Sequence, residues 1–377
     1  MLEFIQENYW GVSFTGLFMA AWLVQAYYFL RYFLKASNIK NNIATQSNHP
    51  VSIVICARNE EKNLMDNLPV IMDQDHPNFE VVVVNDSSWD ETEAILKAYS
   101  LRYPNLRVVN IDEEKQNMQG KKFALTLGIK AAKHEVILLT DADCVPASSS
   151  WIREMTKNMS DKKQLVIGYS PYQKHEGWLN KIIRFDTLMI GAHYMGFARA
   201  GIPYMGIGRN MAYDKDLFFK VGGFKSHYSI ASGDDDLFVN QVANANNTLV
   251  VANPEAHTIS EPKKTWNEWF RQKRRHFTTA PLYKAEHKSK LALWPISFAL
   301  MYTGFIGALI FQTSVLLVIG LILLRYILQI AILHRISVRL AQSKDVVWLA
   351  LPLELQLHAL NLGLYFTNLM RKPQKWN

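Results

Sequence analysis

Residues 136–144 read VILLTDADC, an apolar run that ends in two aspartates separated by one residue. Residues 136–140 are typical of a strand that is buried on both faces of a sheet. Asp141 and Asp143 follow at the point where the strand ends. Two carboxylates with this spacing can hold a divalent cation and leave coordination positions open for phosphate oxygens. This stretch therefore predicts a sheet that carries a metal site at the end of one strand.

Similar apolar runs precede this one and alternate with segments of helical spacing. The strands are predicted over residues 51–56, 81–84 and 106–109, and the helices over residues 90–103 and 121–133. Such alternation indicates a Rossmann-like, mostly parallel α/β sheet. Ligands of these sheets bind beyond the carboxyl ends of the strands.

Polar residues follow the first two strands as well, at residues 57–60 and 85–90. A helix cap explains one acidic residue, such as Asp90. Three polar strand ends at one edge of the sheet favour a binding site over three separate caps.

Composition excludes several classes of protein. The chain has 377 residues, of which 49% are hydrophobic, and a formal net charge of +8. Its two cysteines, Cys56 and Cys144, form no Cys-x-x-Cys pair, which argues against a disulfide framework or a zinc site and favours a reducing compartment. No Gly-x-Gly-x-x-Gly follows the first strand, so a dinucleotide site is not expected, and Gly120-Lys121-Lys122 lacks the rest of a P-loop.

An apolar segment near the N-terminus predicts a membrane span over residues 11–34, after a short tail at residues 1–10. Residues 11–30 carry no charge, and this length suffices to cross a bilayer as a helix. Glu3 and Glu7 precede the segment, whereas Arg31 and Lys35 follow it. The positive-inside tendency then places the following domain in the cytoplasm, on an integral protein of the plasma or inner membrane.

Two further apolar segments lie near the C-terminus. Residues 291–334 predict a transmembrane hairpin with basic flanks on both sides, and Arg325 within it should face other helices or reach toward the interface. Residues 346–366 are expected either to span the membrane or to form a re-entrant or interfacial helix, because the segment contains several polar residues and a span would leave the basic tail outside. Glu354 and His358 share one helix face, which favours a polar packing contact. A basic tail, residues 367–377, follows.

Residues 263–290 predict an amphipathic interfacial helix and a connector. Thr265 and Glu268 form a capping box. Trp266, Trp269 and Phe270 recur at helical spacing among basic residues, as in helices that lie on anionic lipid. Nucleic acid is not expected as a partner, because these aromatic residues lead directly into membrane spans.

In their order, the motifs of this chain resemble those of the family-2 glycosyltransferases with the GT-A fold, related to the cellulose synthase and ceramide glucosyltransferase-like group. The domain is expected over residues 50–262, with membrane helices on its N- and C-terminal sides. The similar segments are residues 51–64, 84–90, 120–122, 141–143, 206–213, 232–237 and 272–276.

The resemblance implies a role for each matching residue. Donor contacts fall on Ala57, Asn59, Glu60, Asp86, Lys121, Asp141, Gln272 and Arg275; the metal ligands are Asp143 and Asp141; Gly208 and Asn210 lie on the acceptor side; and Asp235 is the general base with Asp234 beside it. The implied cofactor is Mg²⁺ or Mn²⁺. The implied partners are a nucleotide-diphosphate sugar, a lipid or carbohydrate acceptor and membrane lipids.

The chain departs from the family pattern at three places. Asn85 stands where the family more often has Asp, so the nucleoside contact is assigned to Asp86. An alignment on Leu237 instead of Gly233 gives the role of the base to Asp234 or Asp236. His276 replaces the tryptophan of a Gln-x-x-Arg-Trp signature, which argues against processive synthesis.

The resemblance and the membrane segments together imply a membrane-bound, metal-dependent glycosyltransferase that is not processive, and the resemblance implies inversion of configuration at the anomeric carbon. Its acceptor is expected to be a lipid, a lipid-linked sugar or a polysaccharide. The alternatives are a processive polysaccharide synthase, a catalytically silent scaffold with the same fold, and a nucleotidyltransferase, which would release pyrophosphate instead of a nucleoside diphosphate.

Overall fold

The computed structural model describes residues 8–39, 48–112, 120–230, 232–342 and 344–370. The N-terminal tail as far as residue 7 and the basic tail from residue 371 lie outside the described residues. Three candidate spans and one α/β domain account for most of the described chain.

The domain is built on a seven-stranded sheet with the order β3-β2-β1-β4-β7-β6-β8. Strands β1 to β4 are parallel to one another and β8 is parallel to β6, whereas β7 runs antiparallel to β4 and to β6. Strands β5 and β9 pair separately and antiparallel. The strands are β1 Val51–Ala57, β2 Phe79–Asp86, β3 Leu106–Ile111, β4 Val136–Leu139, β5 Cys144–Pro146, β6 Leu165–Ile167, β7 Met211–Asp214, β8 Thr248–Val250 and β9 Thr258–Ser260.

Helices cover both faces of this sheet, which explains why its central strands are apolar without alternation. The side chains of β1 divide between two cores, since Ile53 and Ile55 pack on one face and Val54 on the other. The helices of the domain are α3 Glu61–Met72, α4 Thr92–Arg102, α5 Lys121–Ala131, α6 Trp151–Thr156, α7 Trp178–Arg199, α8 Lys215–Lys220, α9 Asp236–Val242 and α10 Trp266–His276.

Within the described ranges, three helices are long and apolar enough to cross a membrane: Tyr9–Ser37, Ala285–Ile310 and Val315–Arg339. The first consists of α1 Tyr9–Tyr28, a π-helical segment Phe29–Phe33 and α2 Leu34–Ser37; the others are α11 and α12. They are followed by α13 Asp345–Trp348 and α14 Ala350–Met370. Arg325 of α12 is buried and paired with Glu354 of α14 at 2.8 Å, which confirms that it faces other helices.

The predicted boundaries differ from the structure at the second apolar region. The connector predicted as far as residue 290 ends earlier, because Ala285 already begins α11. The hairpin turn lies at residues 311–314, where Gln312 and Ser314 both have positive φ. Strands β5 to β9 were not predicted from the sequence.

Candidate active site

The loops after β1 and β2 are joined by hydrogen bonds that Asn59 and Ser88 make. Asn59 has a φ of 57°, a left-handed conformation that asparagine tolerates better than most residues. Its backbone N–H donates to Ser88 Oγ at 3.0 Å, and its side-chain oxygen accepts from the N–H of Trp89 at 3.0 Å. Asn59 therefore fixes the two strand ends against each other, and Glu60 is held beside them.

Ala57 and Asp86 are the last residues of β1 and β2, and both are buried. The adjacent Asn85 bonds Asn110 at the end of β3 and accepts from the N–H of Ser88. The Asn85 side chain is thus used in hydrogen bonds within these loops. The assignment of the nucleoside contact to Asp86 stays a prediction.

Asp141, Asp143 and Cys144 form a cluster beyond the end of β4. One ligand atom from each lies within 4.8 Å of the others. Burial, together with Asp141, raises the pKa of Asp143, and burial also raises the pKa of Glu60, with smaller contributions from Asp143 and Asp141. A cation bound between carboxylates this close together stabilises their ionised forms.

The donor set fits a hard divalent cation better than a soft one. Mg²⁺ and Mn²⁺ prefer carboxylate oxygens. Burial raises the pKa of the Cys144 thiol well above its usual range, so the sulfur stays protonated, and it lies 3.4 Å from Asp143 Oδ1 as a donor. Asp141 and Asp143 are therefore the residues that fit Mg²⁺ or Mn²⁺.

Lys121 connects this cluster to a second acidic group. Its Nζ lies 2.8 Å from Asp141 Oδ1 and 3.1 Å from Asp234 Oδ2. Burial acts against the charged ammonium, but the two carboxylates raise the pKa of Lys121 well above its usual range. A permanently charged amine thus stands between the end of β4 and the start of α9.

The three consecutive aspartates at the start of α9 have three different environments. Burial opposes ionisation of Asp234, but Lys121 holds the pKa of this carboxyl below its usual value. Asp236 accepts hydrogen bonds from Thr279, from Tyr283 at 2.7 Å and from the N–H of Leu237. Asp236 is therefore occupied by protein partners, and α9 begins at this residue.

The third carboxylate, Asp235, is the residue predicted to act as the base. Its Oδ2 accepts from the N–H of Gly208 at 2.9 Å, and its Oδ1 accepts from the N–H of Asp236 at 2.7 Å. Burial, Asp234 and Asp236 raise the pKa of Asp235 to about 7. A Cβ at residue 208 would lie 3.3 Å from the Cβ of Asp235, so glycine permits this close approach.

Two residues outside the predicted set organise the same region. Lys122 is buried and donates to the carbonyls of His227, Ile230 and Ser232 at 2.7–2.8 Å, which fixes the loop before Asp234. Arg209 lies 4.3 Å above the ring of Tyr172 and donates to Ser170 O. Each contacts residues that are distant in sequence. The feature of the sequence that could have indicated their roles is the glycine motif next to each of them.

Helix α10 brings Gln272 and Arg275 toward this region. Gln272 donates to the Tyr172 hydroxyl at 3.3 Å, so it joins the Arg209–Tyr172 contact. Among the described residues the buried Nε of Arg275 has no hydrogen-bond acceptor. His276, the last residue of α10, is exposed.

Asn210 differs from the other acceptor-side residues. Its side chain is fully buried, donates to the carbonyls of Tyr169 and Ala256, and accepts from the indole N–H of Trp151. These bonds occupy the amide inside the protein. Asn210 therefore supports the Gly208 loop from below and does not itself reach an acceptor.

The comparisons with known proteins agree with this geometry. Residues 52–222 match the profile of Glycosyl transferase family 2. The probable glycosyltransferase YdaM of Bacillus subtilis is 28% identical over 234 residues, which are 60% of this chain and 54% of that protein. The poly-beta-1,6-N-acetyl-D-glucosamine synthase of Staphylococcus epidermidis is 27% identical over 137 residues, which are 35% of this chain and 32% of that synthase. The chain thus spans about half of the first relative's length and a third of the second's.

A solved structure shows the same fold over nearly the whole chain. The mannosyltransferase PcManGT from Pyrobaculum calidifontis, in complex with GDP-Man and Mn²⁺, is 18% identical and has a TM-score of 0.57. The similarity covers 89% of this chain and 98% of that one. The predicted GT-A fold class with flanking membrane helices is therefore confirmed.

Proposed function

Because residues 52–222 form a domain of Glycosyl transferase family 2, we propose that this chain transfers a sugar from a nucleotide-diphosphate sugar to an acceptor hydroxyl at the membrane surface. The observation that carries the proposal is the meeting of two acidic groups across Lys121. One group, Asp141 and Asp143, follows β4, and the other, Asp234 and Asp235, precedes α9.

Each group has a distinct part in the reaction. The acceptor hydroxyl gives its proton to Asp235, its oxygen forms a bond to the anomeric carbon, and the bond from that carbon to the diphosphate oxygen breaks. The electron pair of the broken bond leaves with the nucleoside diphosphate. A base and a leaving group on opposite faces of the sugar imply inversion. A pKa of about 7 suits a general base near neutral pH.

The diphosphate gains negative charge as it leaves, and this charge needs compensation. A divalent cation held by Asp143 and Asp141 supplies electrostatic stabilisation when bound. Lys121 is fixed beside Asp141 and adds a permanent positive charge. Arg275 of α10, whose buried Nε has no acceptor among the described residues, would add a charge-assisted hydrogen bond to the diphosphate.

The acceptor class follows from the position of the domain. The domain begins after the candidate span Tyr9–Ser37 and ends before Ala285, where the next span begins, so its site is held near a bilayer. A lipid, a lipid-linked sugar or a nascent polysaccharide is therefore proposed as the acceptor, with the domain on the cytoplasmic side because the flanks are basic.

The test is a panel of UDP- and GDP-sugars, offered with Mg²⁺ or Mn²⁺ to the full chain in lipid nanodiscs and scored by nucleoside diphosphate release. Asp143→Asn should abolish release and weaken metal-dependent nucleotide binding in calorimetry. Asp161→Asn, an exposed carboxylate elsewhere on the domain, is the matched control. Full activity of Asp143→Asn would refute the metal assignment.

Two outcomes would favour the alternatives. If a folded protein binds nucleotide but releases no diphosphate with any sugar in the panel, the silent scaffold is the better description. If long polymers appear on a gel, the protein is better described as a processive synthase. His276 would then replace the family tryptophan without loss of processivity.

A further inference from the structure

Helix α14 has an outward stripe of large apolar side chains that no described part of the protein covers. Leu351, Leu355, Leu362, Phe366 and Leu369 are all exposed and recur at intervals of three, four and seven residues. These intervals place them on one face of the helix. The opposite face carries Leu353, Glu354, Leu357 and Leu364, which are buried against the protein.

The three candidate spans define two sides of a bilayer. The domain-side ends are Ser37, Ala285 and Arg339, because the chain enters and leaves the domain there and Arg339 donates to Ile39 O. The far ends are Tyr9 and the turn at 311–314, where a Cβ at Gly11 would meet Thr313.

Helix α14 starts on the domain side. Asp345, just before it, accepts two hydrogen bonds from Arg184 of α7 at 3.0 and 2.5 Å. A helix that crossed from there would carry residue 368 about 27 Å from residue 350, at the far side of the bilayer.

The contacts of the helix are incompatible with such a crossing. Gln356, in the first third of α14, accepts a hydrogen bond from the indole of Trp178 at 2.6 Å. Asn368, two residues before its end, accepts from Arg274 Nε at 2.8 Å and donates to Arg274 O at 2.9 Å. Trp178 and Arg274 belong to α7 and α10 of the domain, so both the first third and the end of α14 lie on the domain side.

Glu354 sets the depth of the helix. It pairs with Arg325 of α12, which also bonds Gln25 of α1. The same Gln25 bonds the carbonyl of Trp294 and the hydroxyl of Ser297 in α11. The long side chains of Arg325 and Glu354 therefore tie the start of α14 to all three spans, while Asn368 holds its end against α10.

We propose that α14 is an in-plane helix embedded in the domain-side leaflet, with its apolar stripe in contact with the acyl chains of that leaflet. This occupant follows from continuity, because Glu354 pairs with Arg325 of the span α12, and Leu324 and Ile327 beside Arg325 in the sequence are exposed large apolar side chains. The basic sequence after Met370 is then on the side that the positive-inside tendency favours. The proposal rests on the spans crossing a bilayer and is independent of the sugar that is transferred.

A labelling experiment tests the side on which α14 ends. Single cysteines replace Met370, and Lys375 beyond it, in the full chain in sealed vesicles, and a membrane-impermeant maleimide is added from one side. Leu101→Cys, exposed on α4, reports the domain side, and Gln312→Cys reports the far side. The parent protein, with Cys144 buried and Cys56 partly so, gives the baseline.

The proposal expects residues 370 and 375 to label together with residue 101 and not with residue 312. Labelling together with residue 312 would overturn it. If residue 370 fails to label because lipid covers it, residue 375 still reports the side.

A depth measurement tests the lipid contact itself. Nitroxide labels at Leu355→Cys, Leu362→Cys and Leu369→Cys should show similar depths and high accessibility to oxygen, since the stripe lies in one plane. A depth that passes through the bilayer centre near residue 362 would mean a span. Low oxygen accessibility at all three would mean that another protein chain, and not lipid, covers the stripe; either result contradicts the proposal.

Discussion

At the scale of single residues, the site depends on how three adjacent carboxyls are kept chemically distinct. Asp234 is paired with Lys121, Asp236 is bonded to Thr279 and Tyr283, and Asp235 accepts hydrogen bonds from the backbone N–H groups of Gly208 and Asp236. The sequence places the three side by side, so their order alone does not identify the base. Their partners come from residues as far away as Tyr283, which is why the structure was needed to separate them.

Asp235→Asn should lower turnover about 10²- to 10⁴-fold, the usual contribution of a general base, with little change in donor binding. The amide keeps an oxygen for the N–H of Gly208 but cannot take a proton. Steady-state rates and nucleotide titration of the same preparation measure the two effects. A variant that keeps more than a tenth of the parent rate would argue that another group is the base.

The pH dependence follows from the raised pKa of Asp235, which is about 7. The base acts when ionised, so the rate should rise with pH through about 7 in the parent. A raised pKa also means that the folded state holds this proton more tightly than the unfolded chain does. The ionised form therefore costs stability increasingly between about pH 4 and pH 7, and Asp235→Asn should unfold at a higher temperature than the parent at pH 8 but not at pH 4.

At the scale of elements, the sequence predicted the four parallel strands. Residues 51–56, 81–84 and 136–140 fall within or beside β1, β2 and β4, where burial on both faces leaves continuous apolar runs. Residues 106–109 fall in β3, at the edge of the sheet. Strands β6 and β8 have three residues each, too few for a periodic signal. The roles of Lys122 and Arg209 could not be predicted for a different reason: their partners, a backbone carbonyl and an aromatic ring, are distant in sequence and are brought close by the fold.

Helix α10 is held by a buried ion pair, and this suggests a prediction about its stability. Lys273 Nζ lies 2.8 Å from Asp186 Oδ2 of α7, and both side chains are about nine-tenths buried. Asp186→Asn or Lys273→Met leaves one buried group without its partner, so each should cost about 3–5 kcal/mol. The double variant Asp186→Leu/Lys273→Met should recover most of this loss in thermal unfolding.

The contact between α1 and α11 gives a matched pair of glycine substitutions. A Cβ at Gly304 would lie 2.6 Å from the backbone N of Phe18 and 2.8 Å from Phe14 O, whereas nothing lies within 4 Å at Gly320. Gly304→Ala should force the helices apart and destabilise the protein by about 1–3 kcal/mol, since backbone atoms cannot yield as side chains do. Gly320→Ala is the control and should be neutral or slightly stabilising. Equal unfolding temperatures for the two variants would refute the close packing.

At the scale of the whole molecule, one buried cluster joins helices from both ends of the chain. Arg325 of α12 donates to both oxygens of Glu354 in α14, to Gln25 of α1 and to Gln329, all at 2.8–2.9 Å. The sequence indicated that Arg325 lies in a membrane segment and that Glu354 makes a polar packing contact, but it did not predict that these two residues pair with each other. The cluster is the place where the N-terminal span, the C-terminal hairpin and α14 are fixed to one another.

Removing one member of this cluster should therefore loosen the membrane region as a whole. Arg325→Met leaves Glu354 buried and unpaired, and Glu354→Gln leaves the guanidinium without its counter-ion. Each single variant should lower the free energy of unfolding by about 3–5 kcal/mol. The double variant Arg325→Met/Glu354→Leu should lie within about 1 kcal/mol of the parent, because a pair of apolar side chains can replace a buried ion pair at little cost. Thermal unfolding in nanodiscs measures the differences. Since the site residues lie in the α/β domain, the double variant should also keep its nucleotide binding. If the double variant is as unstable as the single variants, the hydrogen bonds of the cluster to Gln25 and Gln329 contribute more to stability than the ion pair does.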